Sequence, residues 1–162
     1  MIEKKMLKAL NEQINAELYS YYLYLSMSAW FETINLRGFA HWMRAQGREE
    51  MGHAMKIFDF IVERGGKIEL AAIEKPAGSW TTPLAAFSAA YKHEIQITTS
   101  IYRLVDLAGS LKDHATSSFL KWFVDEQVEE EANADAIVQK LHMAGDSMGA
   151  MFIIDKELAA RS

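Results

Sequence analysis

The sequence predicts an all-α protein, a four-helix bundle with one long crossover between helices 2 and 3 and a short fifth helix. The chain has only two prolines, Pro76 and Pro83, which lie close together and leave long stretches on either side free to be helical. Valine, isoleucine and threonine never form the alternating runs that strands need. Turn-forming residues divide the two halves again and predict helices over about 5–34, 37–64, 84–109, 113–144 and 147–160.

The predicted boundaries coincide with residues that commonly end or begin helices. Helix ends are predicted at Asn35, Gly65, Gly66, Gly109 and Gly145. Helix starts are predicted where a side chain can cap the first turn, at Thr82, Asp113 and Ser147. Pro83 directly after Thr82 strengthens that start, because proline suits the first helical position.

The connections between helices indicate the topology. Short turns after the first and third helices make those pairs antiparallel hairpins. The connection from about residue 65 to 83 is longer, and at up to about 3.3 Å per residue it can run the length of a helix of about 40 Å. The second and third helices are therefore predicted to be parallel. In this interpretation residues 1–145 form the four-helix part, and residues 146–162 add the fifth helix and tail of the same domain.

Composition excludes several classes of protein. With a net charge of −5 over 162 residues and no basic block, the chain offers no electrostatic footprint for nucleic acid. The absence of cysteine excludes disulfide frameworks, thiolate zinc sites and iron–sulfur clusters. No apolar run approaches the roughly 18 residues of a membrane span, and the first residues lack the pattern of a signal peptide. We therefore expect a cytoplasmic protein with neither a nucleic-acid nor a membrane partner.

Core positions of a bundle helix are spaced alternately three and four residues apart. In the first helix this spacing selects Leu7, Leu10, Ile14, Glu17, Tyr21, Tyr24, Ser28 and Phe31. In the second helix it selects Leu36, Phe39, Met43, Gln46, Glu50, His53, Ile57 and Phe60. The third and fourth helices have equivalent seams, which run from Leu84 to Val105 and from Thr116 to Leu141. Every seam is largely apolar toward its ends and carries a carboxylate near its middle.

The midpoint of a helix lies at mid-height whichever way the chain runs, so these polar residues should meet at one level of the interior. They are Glu17, Glu50, His53, Glu94, Gln127 and Glu130. Four carboxylates cannot share a dry core as bare anions, because desolvation and mutual repulsion oppose their ionisation. Two divalent cations would neutralise the four negative charges, so the pattern predicts a dinuclear metal site. The alternative is a buried hydrogen-bonded network without metal.

The spacing within each helix supports metal binding. Glu50 and His53 are three residues apart and share one helix face, as do Gln127 and Glu130. The pattern is typical of carboxylate bundles in which two helices each supply a glutamate and two supply a Glu-x-x-His pair. Here Gln127 and Glu130 replace the second such pair. Oxygen ligands with a single imidazole and no sulfur favour iron or manganese over zinc or copper(I), although spacing alone leaves the metal open.

Four segments resemble signature stretches of the prokaryotic non-haem ferritins: INAELYSYYLYLSM, GFAHWM, EEMGHAMKIFDFIVERGG and FLKWFVDEQVEEE. The resemblance covers essentially the full chain and implies a ferritin-like bundle. It also implies that Fe(II) is oxidised by O₂ or peroxide at a di-iron ferroxidase centre and stored as mineral inside a hollow shell of about 24 copies. In that shell, helices one and two form the two-fold contact, and the fifth helix surrounds the four-fold axis.

The resemblance also implies roles for individual residues. One ferroxidase iron takes Glu17, Glu50 and His53 as ligands, with Glu50 bridging. The second iron takes Glu94 and Glu130, with Gln127 beside them. A third iron site toward the inner surface is matched by Glu49, Glu126, Glu129 and Glu130.

Two further residues match positions that have known roles in this family or in the related bacterioferritins. Tyr24 matches a tyrosine next to the ferroxidase centre, and both core packing and a redox or hydrogen-bonding role remain open for it. Met51 stands where bacterioferritins place a haem-ligating methionine. Haem is not expected, because the second Glu-x-x-His of bacterioferritins is absent and Glu130 replaces its histidine.

Two other functions remain alternatives at this point. The first is another di-metal carboxylate oxidase of the same fold, such as an oxygenase, a manganese catalase or a rubrerythrin. The lack of cysteine argues against a rubrerythrin, and 162 residues leave little room for a substrate-binding insertion. The second is a metal-free helical interaction module, which leaves the convergent polar residues without an explanation. A large hollow particle would favour the ferritin interpretation over both.

Overall fold

The computed structural model describes residues 1–162 and consists of five α-helices without a strand. The helices are α1 (Lys4–Thr33), α2 (Arg37–Glu63), α3 (Pro83–Ser110), α4 (His114–Ala144) and α5 (Met148–Ala159). The all-α prediction is confirmed, and every predicted boundary lies within one residue of the observed one. None of these helices combines the length and the hydropathy of a membrane span.

Side-chain caps hold the starts of three helices, as predicted. Oxygens of Thr82, Asp113 and Ser147 accept hydrogen bonds from the backbone N–H three residues later, at 3.0, 3.1 and 3.2 Å. The turn after α3 differs from the prediction, because Gly109 stays inside the helix and Lys112 adopts the left-handed φ of 53°. The turn therefore lies beyond the glycine that the sequence indicated.

The start of α2 is capped by a residue distant in sequence. Its own N-cap residue, Leu36, offers no side-chain hydrogen bond. Instead Asp155 of α5 accepts hydrogen bonds through Oδ1 from the N–H groups of Gly38 and Phe39, at 2.8 and 3.1 Å. The carboxylate also complements the positive end of the helix dipole. This contact docks α5 against the start of α2.

We expect Gly38→Ala to displace α5, because a Cβ at this position would lie 1.7 Å from the carbonyl oxygen of Asp155. Losing the cap costs about 1 kcal/mol, and the steric clash adds to it. Hydrogen exchange of α5 amides should accelerate, and the unfolding midpoint should fall. Gly52→Ala is the matched control on the same helix, since its Cβ would meet no atom within 4 Å. Protected α5 amides in Gly38→Ala would contradict the expectation.

The long connection between α2 and α3 runs along α1. Asn11 Nδ2 donates to the carbonyl of Lys67 at 3.0 Å near the start of α1, and Ser26 Oγ donates to that of Ala77 at 2.6 Å near its end. The connection thus carries the chain back to the end of the bundle where α2 begins. There the rings of Trp42 and Phe87 lie 5.2 Å apart, so α2 and α3 are parallel. The predicted crossover is confirmed.

Most of the predicted core seam of α1 is buried, but the seam is narrower than the stripe that the structure covers. Its buried positions are Leu10, Ile14, Glu17, Tyr24, Ser28 and Phe31, whereas Leu7 and Tyr21 are half-buried. The structure buries a second set on the other side of the stripe, Met6, Gln13, Ser20 and Met27. The buried stripe is wide because α1 packs against α2, α3 and the crossover together. The half-buried residues of the other seams are Phe60, Leu84, Tyr91 and Val105.

The apolar core consists of two clusters separated by a polar layer. The first cluster joins the end of α1, the starts of α2 and α3, and the end of α4, and it includes Phe31, Phe39, Phe87, Leu141, Ile154 and Leu158. The second cluster fills the opposite end and includes Leu10, Ile57, Ile101, Leu120 and Phe123. The layer between them contains the polar midpoints of the four long helices.

Candidate metal centre

The six polar residues selected by the seams converge in this middle layer. All of them are at least 96% buried: Glu17 from α1, Glu50 and His53 from α2, Glu94 from α3, and Gln127 and Glu130 from α4. All six lie within uninterrupted helices, which fix the positions of their side chains. The two apolar clusters exclude water above and below the layer. The structure therefore brings together the residues that the sequence proposed.

Two adjacent groups of side chains could each hold a cation. Glu17, Glu50 and His53 each offer an atom within 4.8 Å of the others, and so do Glu50, Glu94 and Glu130. Glu50 belongs to both groups, which is the arrangement that a bridging carboxylate requires. His53 Nδ1 lies 3.2 Å from Glu50 Oε2 and 3.9 Å from Glu17 Oε2.

Two oxygens of this layer fit a cation better than a hydrogen-bonded network. Glu17 Oε2 and Glu130 Oε1 are buried and have no hydrogen-bond partner. An unpaired buried carboxylate oxygen is expensive unless a charge or a donor satisfies it. One of these two glutamates belongs to each of the two groups. A cation bound in each group would satisfy both.

Burial raises the pKa of the carboxyl groups in this layer. Removal from water is the largest cause of the raised pKa of Glu17, Glu50 and Glu94. The same cause, followed by the negative charge of Glu94, raises the pKa of Glu130 to about 8. At neutral pH the metal-free layer therefore retains protons, which cations must displace when they bind.

In the metal-free state, we expect the free energy of unfolding of Glu130→Gln to increase relative to that of the parent as the pH rises. The folded pKa of about 8 lies above the ordinary 4.5, so the native state binds more protons than the unfolded state between these values. Stability from the protonated group is thus present at low pH and lost as pH rises toward 8, by about 1.4 kcal/mol per unit at most. Glutamine has no proton to lose. Denaturant unfolding from pH 5 to 9 measures the difference, and a constant difference would contradict this assignment.

Tyr24 and Gln127 hold Glu94 from two sides. The buried Tyr24 hydroxyl donates a hydrogen bond to Glu94 Oε1. Burial, followed by the charge of Glu94, raises the pKa of Tyr24 well above its usual value, so the hydroxyl stays protonated as a donor. Gln127 Nε2 donates to Glu94 Oε2 and to Thr98 Oγ1, both at 3.2 Å. These contacts indicate that Tyr24 and Gln127 orient the carboxylate of Glu94.

The residues that the resemblance assigns to a third iron site are only partly brought together. Glu126 is half-buried, its Oε1 lies 3.8 Å from His53 Nε2, and it forms a third group with His53 and Glu130. Glu49 lies outside this group and pairs with Arg161 at 2.7 Å. Glu129 is exposed and belongs to none of the three groups.

Residues 7–144 match the family described as Ferritin-like domain. The chain belongs to the ferritin family. The bacterial non-heme ferritin of Bacteroides fragilis (strain 638R) is 47% identical over 161 residues, 99% of this chain and 100% of that protein. The bacterial non-heme ferritin of Staphylococcus saprophyticus is 41% identical over 162 residues, 100% of this chain and 97% of that protein. The resemblance inferred from the sequence is confirmed.

Solved ferritin structures share the whole fold of this ferritin-family chain. The open pore ferritin of the hyperthermophilic archaeon Archaeoglobus fulgidus has a TM-score of 0.99 and is 53% identical, covering 100% of this chain and 99% of that chain. A closed form of that archaeal ferritin, engineered by site-directed mutagenesis, gives the same values. The ferritin-like bundle predicted from the sequence is therefore confirmed.

Two glutamines next to the ligands of this ferritin-family chain were missed from the sequence. Gln46 Nε2 donates to Glu50 Oε1 at 2.8 Å and to Glu130 Oε2 at 2.7 Å. Gln13 Nε2 donates to Glu17 Oε1 at 2.8 Å. A signal existed for Gln46, since it is a polar residue in the predicted seam four positions before Glu50. Gln13 lay outside the predicted seam of α1, so its part depends on the packing.

Proposed function

We propose that this protein stores iron by oxidising Fe(II) to Fe(III) at a paired site inside the bundle and holding the product as mineral within a shell of identical copies. The observation that carries the proposal is the buried layer of four carboxylates and one histidine, in which Glu50 is shared and two oxygens lack partners. Family membership supports iron as the substrate, because the relatives are ferritins.

We propose that Glu17, Glu50 and His53 bind one Fe(II) and that Glu50, Glu94 and Glu130 bind the other. Two divalent ions offset four carboxylate charges, and hard oxygen ligands favour the higher charge of Fe(III). Adjacent ions about 3.5–4 Å apart can each give one electron to the same oxidant. O₂ or peroxide is the proposed oxidant, and it takes up the two electrons as a pair.

The surrounding residues position these ligands. Tyr24 and Gln127 orient Glu94, and Gln13 orients Glu17 through the hydrogen bonds described above. Preorganised carboxylates lower the reorganisation that each ion requires on binding. Protons retained by the metal-free carboxyl groups leave as Fe(II) enters.

We propose that Glu126 and Glu130, joined by Glu49 and Glu129, form a third iron site through which Fe(III) leaves the paired site. The proximity of Glu126 to His53 supports a path from the paired site toward the surface. Glu129 is exposed, which suits a residue that binds Fe(III) only transiently on its way out of the paired site. Glu49 requires the side chain of Arg161 to release it first.

We expect Glu129→Ala to keep the fast oxidation of the first Fe(II) additions but to slow repeated additions by several-fold, because ferric product would clear the paired site more slowly. Successive aerobic Fe(II) additions followed by ferric absorbance measure both phases. Glu12→Ala, an exposed glutamate on α1, is the control. If Glu129→Ala affects repeated additions no more than Glu12→Ala does, Glu129 has no part in the path.

Assembly into a shell is supported by apolar side chains that the single chain leaves exposed. On α1 these are Tyr22 and Leu25, and on α5 they are Met148, Phe152 and Ile153. Phe152 and Ile153 are 61% and 69% exposed, which a monomer in water would not favour. We propose that α1 and α2 meet their counterparts across a two-fold axis and that α5 packs around a four-fold axis, giving about 24 copies.

The central experiment adds Fe(II) aerobically to chelator-treated protein of measured particle size. We expect a hollow particle, a fast saturable phase of about two Fe(II) per chain, and slower growth of ferric mineral that co-elutes with protein. Fast oxidation by a monomer or dimer without mineral would instead favour another di-metal carboxylate oxidase. Absence of both oxidation and metal binding would favour a metal-free helical module.

A further inference from the structure

Gln46 bridges the two proposed metal positions by hydrogen bonds to their ligands. Its two amide hydrogens are used on Glu50 of α2 and Glu130 of α4, at 2.8 and 2.7 Å. The amide is buried, with 1% exposure, so water does not compete for these bonds. The hydrogen bonds hold in place one carboxylate shared by both positions and one that belongs to the second.

A glutamine amide can present either its nitrogen or its oxygen, so its orientation has to be set by a third group. Gln46 Oε1 accepts a hydrogen bond from an Arg161 guanidinium nitrogen at 2.9 Å. Arginine only donates hydrogen bonds, which forces the amide oxygen toward Arg161 and the NH₂ toward the carboxylates. A flipped amide would place its oxygen against two carboxylates and its NH₂ against the guanidinium, which can only donate. Ser100 orients the amide of Gln13 in the same way, because its hydroxyl donates to Gln13 Oε1 at 2.8 Å.

Arg161 is itself fixed along one face of α2. Its guanidinium lies 4.3 Å above the ring of Trp42, and it donates to Glu49 Oε2 at 2.7 Å. Its backbone carbonyl lies 2.6 Å from His41 Nε2. The side chain is 18% exposed, unlike a free surface arginine. Arg161 lies two residues beyond the end of α5, and α5 is docked on α2 through Asp155.

We propose that Arg161 is a positioning residue of the metal centre, which holds the amide of Gln46 so that Glu50 and Glu130 are oriented for metal binding. Arg161 thereby connects the docking of α5 with the geometry of a site in the middle of the bundle. This inference rests on the proposed function and adds a contributor from outside the four long helices. Groups that orient metal ligands affect metal affinity by about 10–100-fold when removed.

The test is an anaerobic titration of the chelator-treated protein with Co(II), whose visible absorption reports coordination geometry as well as occupancy. We expect Arg161→Met, which keeps a stem for packing on Trp42, to weaken Co(II) binding about tenfold and to change the absorption band. Arg161→Lys keeps a donor and should recover part of the loss. Lys140→Met is the matched control, because Lys140 also contacts α5, through Glu157, but has no bond to Gln46.

A double-mutant cycle separates this role from general loosening of α5. If Arg161 acts through Gln46, adding Arg161→Met to Gln46→Ala should cause no further loss of Co(II) affinity. Additive losses, or an Arg161→Met titration and spectrum identical to the parent, would overturn the inference. Failure of the parent itself to bind Co(II) in the bundle would instead refute the proposed metal centre, so the two failures are distinguishable.

Discussion

Glu94→Gln should lower the initial rate of the fast phase of Fe(II) oxidation on the order of a hundredfold, because a neutral amide replaces a carboxylate that we propose to bind the second metal ion. The side chain keeps its volume, so the two apolar clusters should stay packed and helix content should remain that of the parent. The measurement is stopped-flow ferric absorbance after aerobic mixing of Fe(II) with chelator-treated protein. Glu130→Gln should behave in the same way, since both residues belong to one group of ligand atoms.

The matched control is Asp106→Asn, an exposed carboxylate on the same helix as Glu94. It removes a negative charge of the same kind without touching the middle layer. We expect its fast phase to equal that of the parent. Unchanged fast kinetics in Glu94→Gln, alongside normal helix content and particle size, would reject the proposed second metal position.

Glu50→Gln should raise the stability of the metal-free protein while removing the stabilisation that metal ions provide. Glu50 is shared by both proposed metal positions and faces the carboxyl groups of Glu94 and Glu130. Without cations this crowding opposes folding, so a neutral side chain of equal volume relieves it. With cations the native state gains their binding free energy, about 2.7 kcal/mol when the free metal is a hundred times its dissociation constant. That gain requires the carboxylate.

Thermal unfolding with and without Zn(II), which is redox-inert, measures both effects. The parent should show a large metal-dependent rise of its unfolding midpoint, and Glu50→Gln should show little or none. Glu63→Gln, an exposed glutamate at the end of α2, should behave as the parent does. A metal-dependent rise of parental size in Glu50→Gln would place the cations elsewhere in the protein.

The secondary structure and the topology were predictable because they depend on local signals. Thr82, Asp113 and Ser147 act through atoms three residues away, so the sequence predicts the starts of their helices reliably. The crossover followed from the length of one connection. The convergence of polar residues followed from their position at helix midpoints, which lie at the same height in any bundle of long helices. Their role as metal ligands stays a prediction.

Other features depended on which surfaces meet in three dimensions. The seam of α1 was predicted too narrow, because the partners that cover Gln13 and Ser20 are not visible in a periodic pattern. Asp155 caps a helix more than a hundred residues earlier, and Arg161 reaches Gln46 over a similar separation. Glu126 approaches His53 while Glu49 turns to Arg161, although the charge pattern treats these acids alike.

By itself, then, the sequence determined five helices, their order and a layer of acids at mid-height, since hydrophobic periodicity and capping act over a few residues. Tertiary structure alone decided how wide a stripe of α1 is covered, where α5 docks, and which amide faces each carboxylate. Those choices depend on contacts between distant segments, whose energies appear only when the packed helices bring specific donors and acceptors within hydrogen-bond distance.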